Sequence, residues 1–231
     1  MSEIGFHEFS SRSAASAAAA AMLADSIDRQ WQSRKRASIV VSGGSTPGEC
    51  FDILSQKSLP WSGVTVVPSD ERWVPASHQD SNERLLRARL LQNHANTAQV
   101  LPLFREGTTA EAAANTIETD LQSTALPFAC VMLGMGEDGH FASLFPDFEG
   151  LDNALNPTNP ALIVPVKTHA SPYQRLSLTL SALLQTQHIV LLFFGQAKRA
   201  VFHAAKKGET SYPVHSLLIN NSKPLTVIWA D

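Results

Sequence analysis

Short apolar runs alternate with helix-like segments along most of the 231-residue chain. The runs are rich in branched apolar residues, and several are apolar at nearly every position. Strands that are covered on both faces of a parallel sheet have this pattern. The predicted strands are residues 38–42, 64–68, 100–103, 128–133, 161–166, 188–194 and 225–230. The stretch 175–180 alternates polar and apolar residues and is a candidate for a further strand.

The segments between these runs have helical periodicity and residues typical of helix starts. The predicted helices are residues 11–34, 47–56, 82–93, 109–123, 181–185, 197–206 and 214–220. This alternation predicts right-handed βαβ units, and therefore an α/β fold with a doubly wound, mainly parallel sheet and helices on both faces. Residues 149–160, rich in Asn, Asp and Pro, are interpreted as a loop, so residues 1–231 are expected to form a single α/β domain.

Composition and charge narrow the class of protein. Hydrophobic residues make up 44% and charged residues 17% of the chain, which is typical of a globular protein. The formal net charge of −3 disfavours a nucleic acid as partner, but a few well-placed cations suffice for one phosphate. No run reaches the roughly 18 apolar residues of a membrane span. Cys50 and Cys130 lie far apart and are expected to be buried thiols, so we expect a cytoplasmic protein with no membrane partner.

A glycine-rich turn follows the first predicted strand. Gly43 and Gly44 allow the backbone to come close to a ligand, whereas Ser45 and Thr46 offer hydroxyls and could cap the next helix, with Pro47 in its first turn. A strand, such a turn and a helix start together form a site for an anion. An ordinary tight turn with a helix cap would use the same residues, and the motif alone does not separate the two.

Three consecutive charged residues follow the second predicted strand. Charges at a strand end are often only a solvated loop, but ligands of doubly wound folds bind beyond the carboxyl ends of the strands. Arg72 is a candidate for binding a phosphate, and Asp70 for accepting hydrogen bonds from sugar hydroxyls. Residues 80–82 resemble a helix start that faces the same edge of the sheet.

A second glycine-rich turn follows the fourth predicted strand. Gly134, Gly136 and Gly139 spell the dinucleotide-binding pattern G-x-G-x-x-G. That interpretation requires a long helix and then a strand that ends in an acidic residue. The predicted helix here stops at Pro146, and the next apolar run ends in Lys167. A nicotinamide cofactor is therefore disfavoured, and we expect no cofactor.

His140 is the candidate general base in this turn. It follows a glycine and precedes a predicted short helix, whose dipole would favour the neutral imidazole. Asp138 and Glu137 are close enough in sequence to orient it. A lone histidine is more often structural, but a glycine-rich turn at the carboxyl end of a strand favours catalysis.

The remaining candidates are cations and metal ligands. The eight histidines never have H-x-x-x-H or H-x-H spacing, so a metal site is disfavoured. Lys198 lies in the first turn of a predicted helix, where a cation is unfavourable, so we expect it to have an anionic partner. Arg175, at the start of the candidate strand, is a similar residue with weaker support.

These motifs together resemble the 6-phosphogluconolactonase family, in order and spacing and nearly from end to end. The matching segments are VVSGGSTP (40–47), SDERWVP (69–75), DSN (80–82), LGMGEDGHFASLFP (133–146), RLSLTL (175–180), FFGQAK (193–198) and LTVIWAD (225–231). The resemblance implies a Rossmann-like fold and cofactor-free hydrolysis of 6-phospho-D-glucono-1,5-lactone in the pentose phosphate pathway, with His140 as the catalytic histidine. It also implies phosphate or substrate contacts from the glycine-rich loop, Arg72, Arg175 and Lys198. The pair Val214-His215 departs from the Ala-Ser that the family usually has.

Two alternatives share this kind of fold. Glucosamine-6-phosphate deaminases have similar glycine-rich motifs but carry a glutamate where this chain has Phe145, which cannot transfer a proton. Sugar-phosphate-sensing domains of transcription regulators need a DNA-binding module, and we see no basic segment for one. Lactone hydrolysis is therefore favoured, with His140 as the base and Asp138 and Asp70 as acidic residues whose separate roles stay open. A monomer or a small homo-oligomer is expected.

Overall fold

The computed structural model describes residues 4–208, 212–220 and 223–231. Its strands are β1 (Ile4–Glu8), β2 (Ala37–Val41), β3 (Val64–Pro68), β4 (Asp70–Arg72), β5 (Gln99–Val100), β6 (Cys130–Leu133), β7 (Ile163–Val166), β8 (Arg175–Leu178), β9 (Ile189–Phe194) and β10 (Leu225–Ala230). Its α-helices are α1 (Arg12–Arg34), α2 (Gly48–Ser55), α3 (Asn82–Arg89), α4 (Ala110–Asp120), α5 (Leu151–Ala154), α6 (Leu180–Leu183), α7 (Gln196–Lys207) and α8 (Pro213–Ile219). The short helix α5 lies within the stretch that was predicted to be a loop.

The main sheet has seven strands in the order β1-β10-β9-β6-β2-β3-β5, and every neighbouring pair is parallel. Six of its strands were predicted from apolar runs. Strand β1 was missed because it is a half-exposed edge strand whose pattern resembles a surface loop. It pairs with β10, so the first and last strands of the described chain are neighbours in the sheet.

Alternate residues of the central strands face opposite sides of this sheet. In β2, Ile39 and Val41 pack with α1, α2 and α3, whereas Val40 packs with α4, α6, α7 and α8. In β6, Met132 faces the first layer and Val131 the second. Both faces are covered by helices, which explains the continuous apolar runs and confirms the predicted doubly wound α/β fold.

A second sheet of three antiparallel strands has the order β4-β8-β7. Residues 161–166 were predicted as part of the parallel sheet, and this was wrong. Only residues 167–174 connect β7 to β8, and a parallel pair would need a crossover of about a dozen residues or more. The charged segment Asp70–Arg72 was not among the predicted strands, but it forms β4. The candidate strand at residues 175–180 is confirmed, as β8.

The two cysteines are free and buried, as predicted. Burial raises the pKa of each thiol to about 12, so both are un-ionised at neutral pH. Among the helices of the described chain, none combines the length and apolar character that a membrane crossing requires.

Candidate active site

A cleft of about 210 Å³ opens where β2, β6 and β9 end and β3 passes into β4. Nearly all residues predicted to form the site line this cleft: Gly43, Gly44, Ser45, Thr46, Asp70, Arg72, His140, Arg175 and Lys198. The exception is Asp138, which lies behind His140. Residues from at least five separate segments therefore meet at the edge of the sheet where a doubly wound fold binds its ligand.

The first glycine-rich loop leaves its hydroxyls free. Helix α2 has Pro47 as its N-cap with no side-chain capping bond, so the expectation that Ser45 or Thr46 caps it was wrong. The proline at the N-cap position has no backbone N–H group. The side chains of Ser45 and Thr46 do not cap the helix and instead line the cleft. Gly44 has φ of +87°, a backbone conformation that favours glycine.

Gly43 is required for a different reason, the close approach of Asn82. A Cβ atom at this position would lie 1.9 Å from Asn82 Oδ1. Asn82 is held in place because its amide donates to the carbonyl of Asp70 at 2.7 Å and accepts from Arg72 Nη1 at 3.1 Å. The start of α3 thus packs directly on the loop, as the sequence predicted from residues 80–82.

Asp70 lies at the floor of the cleft and is only 5% exposed. Its Oδ1 accepts from Ser69 Oγ at 2.8 Å, and its Oδ2 accepts from Ser143 Oγ at 2.5 Å and lies 3.5 Å from Arg175 Nη1. Ser69 Oγ also lies 3.2 Å from Ser42 Oγ, which accepts from the Gly134 N–H at 3.1 Å. This chain of hydrogen bonds fixes both glycine-rich loops relative to Asp70.

Ser143 is a site residue that the sequence analysis missed. It is completely buried, and its hydroxyl contacts both Asp70 and, at 3.3 Å, Arg175 Nη1. No pattern marks it, since a serine three residues after a histidine is common in turns. Its position depends on β8, whose Ser177 Oγ accepts from the Ser143 N–H at 3.1 Å.

The two arginines are cross-strand neighbours, because Arg72 pairs with Arg175 in the β4–β8 ladder. Arg72 Nη1 donates to the Asp80 carbonyl at 2.7 Å. The Nε atom of each arginine is buried and has no partner among the described residues. Burial lowers the pKa of Arg175, as does the charge of Arg72, whereas Asp70 opposes the shift. Two adjacent cations with unused donors favour an anion in the cleft.

Glu71 points away from the cleft and organises the start of α3. Its carboxylate accepts from the N–H groups of Arg72, Asn82 and Glu83 at 2.7–2.8 Å and from Ser81 Oγ at 3.0 Å. Burial raises the pKa of this carboxyl, and the four hydrogen bonds oppose the shift. No role was predicted for Glu71, because its three partners at the start of α3 lie ten to twelve residues away along the chain.

His140 is oriented by Asp138. The Asp138 Oδ1 atom lies 2.5 Å from His140 Nδ1 and 3.2 Å from the His140 backbone nitrogen. Burial raises the pKa of Asp138, but the hydrogen bond and charge of His140 outweigh it and leave the pKa lowered. An ionised Asp138 accepts the Nδ1 proton, so Nε2 keeps the lone pair of the imidazole. The chain places Asp138, and not the exposed Glu137, in this role.

The helix expected after His140 is absent, and the argument from its dipole was wrong. Residues 141–146 form a turn in which Ala142 has φ of +49° and Phe141 bridges Leu144. A left-handed residue at that point cannot continue a helix. The imidazole packs instead on Phe145, with ring centroids 4.2 Å apart.

Gly136 in this second loop leaves the space that the His140 and Asp138 side chains occupy. A Cβ atom at Gly136 would lie 2.3 Å from His140 Nδ1 and 2.4 Å from Asp138 Oδ1. Gly139 has φ of +76°. Two of the three glycines thus have a structural reason, Gly136 in the packing of the histidine–aspartate pair and Gly139 in its backbone conformation.

Lys198 lies in the first turn of α7, as predicted. The anionic partner expected for it is not present, since no ion pair or hydrogen bond joins it to any described residue. The positive end of the helix dipole makes a lone lysine unfavourable there. A ligand that supplies the anion would remove this cost. Within the described ranges, no group of three or more His, Cys, Asp or Glu side chains could hold a metal ion.

Comparison with known proteins identifies the family. Residues 10–229 match the family described as glucosamine-6-phosphate isomerases/6-phosphogluconolactonase. The chain is 37% identical over 225 residues to a 6-phosphogluconolactonase of Mesorhizobium japonicum, with 97% of this chain and 94% of the relative covered. It is also 37% identical to a 6-phosphogluconolactonase of Caulobacter vibrioides, with 99% and 98% covered.

A solved structure agrees. The crystal structure of a 6-phosphogluconolactonase from Shewanella baltica superposes with a TM-score of 0.93 at 38% identity, covering 99% of this chain and 98% of that one. The chain therefore belongs to the glucosamine-6-phosphate isomerase/6-phosphogluconolactonase family, as the sequence motifs indicated.

Proposed function

We propose that the chain is a 6-phosphogluconolactonase, which hydrolyses 6-phospho-D-glucono-1,5-lactone to 6-phospho-D-gluconate in the oxidative pentose phosphate pathway. The observation that carries the proposal is the Asp138–His140 pair at a cleft that also holds Arg72, Arg175 and Lys198. One base and several cations suit the addition of water to an anionic ester.

The reaction begins with a water molecule between His140 and the lactone carbonyl. His140 Nε2 takes a proton from the water as its oxygen attacks C1, and the carbonyl oxygen becomes an oxyanion. The C1–O5 bond then breaks, and the imidazolium returns the proton to the ring oxygen. Water and lactone give one carboxylic acid, and His140 ends in its starting form. Asp138 stabilises the imidazolium through Nδ1.

The cations divide between the two ends of the substrate. Lys198 and the loop of Gly43, Gly44, Ser45 and Thr46 bind the phosphate. Arg72 and Arg175 lie beside Asp70 and bind the sugar end, where a guanidinium group stabilises the oxyanion. Asp70 holds Arg175 in place and is the acidic group next to the reacting carbon.

A deaminase is the competing function within this family. Phe145 stacks on the imidazole at the position where deaminases carry an acidic residue. An apolar ring there leaves the site without the extra proton donor that ring opening and loss of ammonia need. Hydrolysis requires only the one base that is present.

The remaining properties follow from this function. We place the enzyme in the cytoplasm as a monomer or small homo-oligomer, with residues 1–231 as one domain. It needs no cofactor, and its partner is the phosphorylated lactone, with neither nucleic acid nor membrane.

Two assays run side by side test the function. Freshly prepared 6-phosphogluconolactone should give acid release well above the spontaneous rate, and glucosamine 6-phosphate should give no ammonia. Ammonia release without accelerated lactone hydrolysis would replace the proposal by the deaminase. Neither activity, in a protein that binds sugar phosphates, would favour a sensing domain.

A further inference from the structure

A second cavity of about 330 Å³, here called the side chamber, adjoins the cleft at Lys198. Three residues belong to the walls of both spaces: Ser45, Thr46 and Lys198. Arg12 and Ser16 of α1, Glu49 of α2 and Phe194 of β9 complete the chamber. Arg12, Ser16 and Glu49 lie outside the motifs, and the proposed mechanism uses none of these four residues.

Size indicates that the two spaces act together. Sites for small molecules typically measure about 300–1,000 Å³. The cleft alone, at about 210 Å³, falls below that range, and the cleft and the side chamber taken together lie within it. A substrate with C1 at His140 extends its far end toward Lys198, and so toward the chamber.

Arg12 is held in position at the far wall. Its Nε donates to the carbonyl of Asp231 at 2.8 Å, and its guanidinium lies 5.4 Å from the centre of the Phe194 ring. No side-chain carboxylate of the described chain forms an ion pair with it, although Glu49 lines the same space. Its terminal nitrogens are therefore available, and the anchored guanidinium loses little freedom when it binds an anion.

Ser16 gives an independent indication of a ligand. Its side chain is completely buried, and its Oγ has no hydrogen-bond partner among the described residues. Buried hydroxyls are nearly always satisfied. A phosphate oxygen in the chamber would accept from it.

We infer that Arg12 is a phosphate-recognising residue, and that the phosphate of the substrate binds in the side chamber between Lys198 and Arg12, with Ser16 as a hydrogen-bond donor. The inference rests on the proposed function and adds to it a specificity residue outside the family motifs. A phosphate monoester carries about −1.5 to −2 charge at pH 7, which two cations match better than Lys198 alone.

The test compares Arg12→Gln with Arg29→Gln. Arg29 lies on the same helix, is exposed, and donates through Nε to the Asp25 carbonyl at 3.2 Å, so it matches Arg12 in charge and type of contact but is remote from the cleft. Arg12→Gln should raise KM for 6-phosphogluconolactone about three- to tenfold, and weaken competitive inhibition by inorganic phosphate in parallel. Hydrolysis of unphosphorylated gluconolactone should change by less than about twofold.

Ser16→Ala provides a second readout that does not remove a charge. If the hydroxyl binds phosphate, KM for the phosphorylated lactone rises about threefold or more. If the hydroxyl is only buried, alanine leaves KM unchanged and raises the melting temperature, because an unsatisfied group is removed from a helix.

The outcomes separate this inference from the function itself. Equal KM values for Arg12→Gln and Arg29→Gln, in enzymes that hydrolyse the lactone normally, would overturn the inference and leave the function intact. If Arg12→Gln fails to fold, the KM of Ser16→Ala for the phosphorylated lactone tests the inference, and an unchanged KM would overturn it. Absence of lactonase activity in the wild type would instead refute the proposed function.

Discussion

The histidine–aspartate pair is organised within a single turn. Asp138 accepts from both the backbone and the ring of His140, and Gly136 leaves the space that the two side chains need. Phe145 covers one face of the imidazole. The orientation of the base therefore depends on four residues of one loop and not on a neighbouring helix.

His140→Asn tests the base directly. Asparagine keeps a polar side chain but cannot take up a proton, so kcat should fall about 10²- to 10⁴-fold while the fold survives. The enzymatic rate must be measured above spontaneous hydrolysis.

The pKa of Asp138 is lowered, so this carboxyl stays ionised as the solution becomes weakly acidic. Protonation of Asp138 should therefore not contribute to a loss of kcat/KM in weak acid, and any acid-side loss in the wild type should be absent from the residual rate of the variant.

Asp138→Asn is the companion variant. The amide can present an N–H to Nδ1 and so favour the wrong tautomer, and we expect a loss in kcat of about 10²-fold or more. A stable His140→Asn protein with near-normal kcat would remove His140 from the chemistry. In that case Asp70 would be the next base to test.

Lys198→Ala removes a cation that no described residue neutralises. The variant should lose a charge-assisted contact of about 1.5–3 kcal/mol with the phosphate, so kcat/KM falls about tenfold or more while stability is kept. Unphosphorylated gluconolactone should be nearly insensitive. Lys206→Ala, in the last turn of the same helix, is the matched control. If both substrates lose activity equally, Lys198 does not bind the phosphate.

Most of the residues that line the cleft could be predicted from the sequence, because the two glycine-rich loops, Asp70 and Lys198 all come shortly after a strand of the parallel sheet. Ser143 and Glu71 were missed for a physical reason. Their partners, Asp70 and Arg175 for one and the start of α3 for the other, come from distant parts of the chain. Such contacts leave no local pattern.

At the scale of the elements, the site depends on how the small antiparallel sheet docks beside the large parallel one. Six of the seven parallel strands could be predicted from apolar runs, since burial on both faces leaves a clear pattern. The pairing of β4 with β8 could not be predicted, because the three charged residues of β4 do not have the sequence pattern of a strand. That pairing places Arg72 beside Arg175.

Gly43→Ala tests this arrangement. The new methyl group would lie 1.9 Å from Asn82 Oδ1, and Asn82 is bonded to both Asp70 and Arg72. Displacement of Asn82 should therefore move Arg72, and we expect a loss of about 1–3 kcal/mol in unfolding free energy and about tenfold or more in kcat/KM. Urea unfolding and steady-state kinetics measure the two effects.

Gly107→Ala is the control for glycine replacement as such. Gly107 has φ of +75° and open space around its Cβ position. The alanine should therefore lower the free energy of unfolding by about 1 kcal/mol, through backbone strain alone. Activity of that variant should be unchanged. Normal activity of Gly43→Ala would show that Asn82 can move without disturbing Arg72.

At the scale of the whole molecule, the net charge of the protein repels an anionic substrate, whereas the cations of the cleft attract it. The chain carries a net charge of −3, and its proposed substrate is an anion. Yet Arg72, Arg175 and Lys198 all line one small cleft, with Asp70 as the one acidic residue of its lining. The long-range field is thus weakly repulsive, whereas the field at the mouth of the cleft is attractive.

Ionic strength should therefore distinguish the two substrates. Screening acts over about 10 Å at 0.1 M salt and over about 3 Å at 1 M, so added salt weakens the attraction between the cleft and the phosphate. We expect kcat/KM for 6-phosphogluconolactone to fall several-fold between about 0.05 and 0.5 M potassium chloride, mostly through KM. The kcat/KM for unphosphorylated gluconolactone should change little, and Lys198→Ala should have a shallower salt dependence than the wild type.

A rise in kcat/KM with salt would mean that repulsion by the net negative charge outweighs the attraction by the three cations. Equal salt dependence for both lactones would mean that Lys198 does not act on the phosphate.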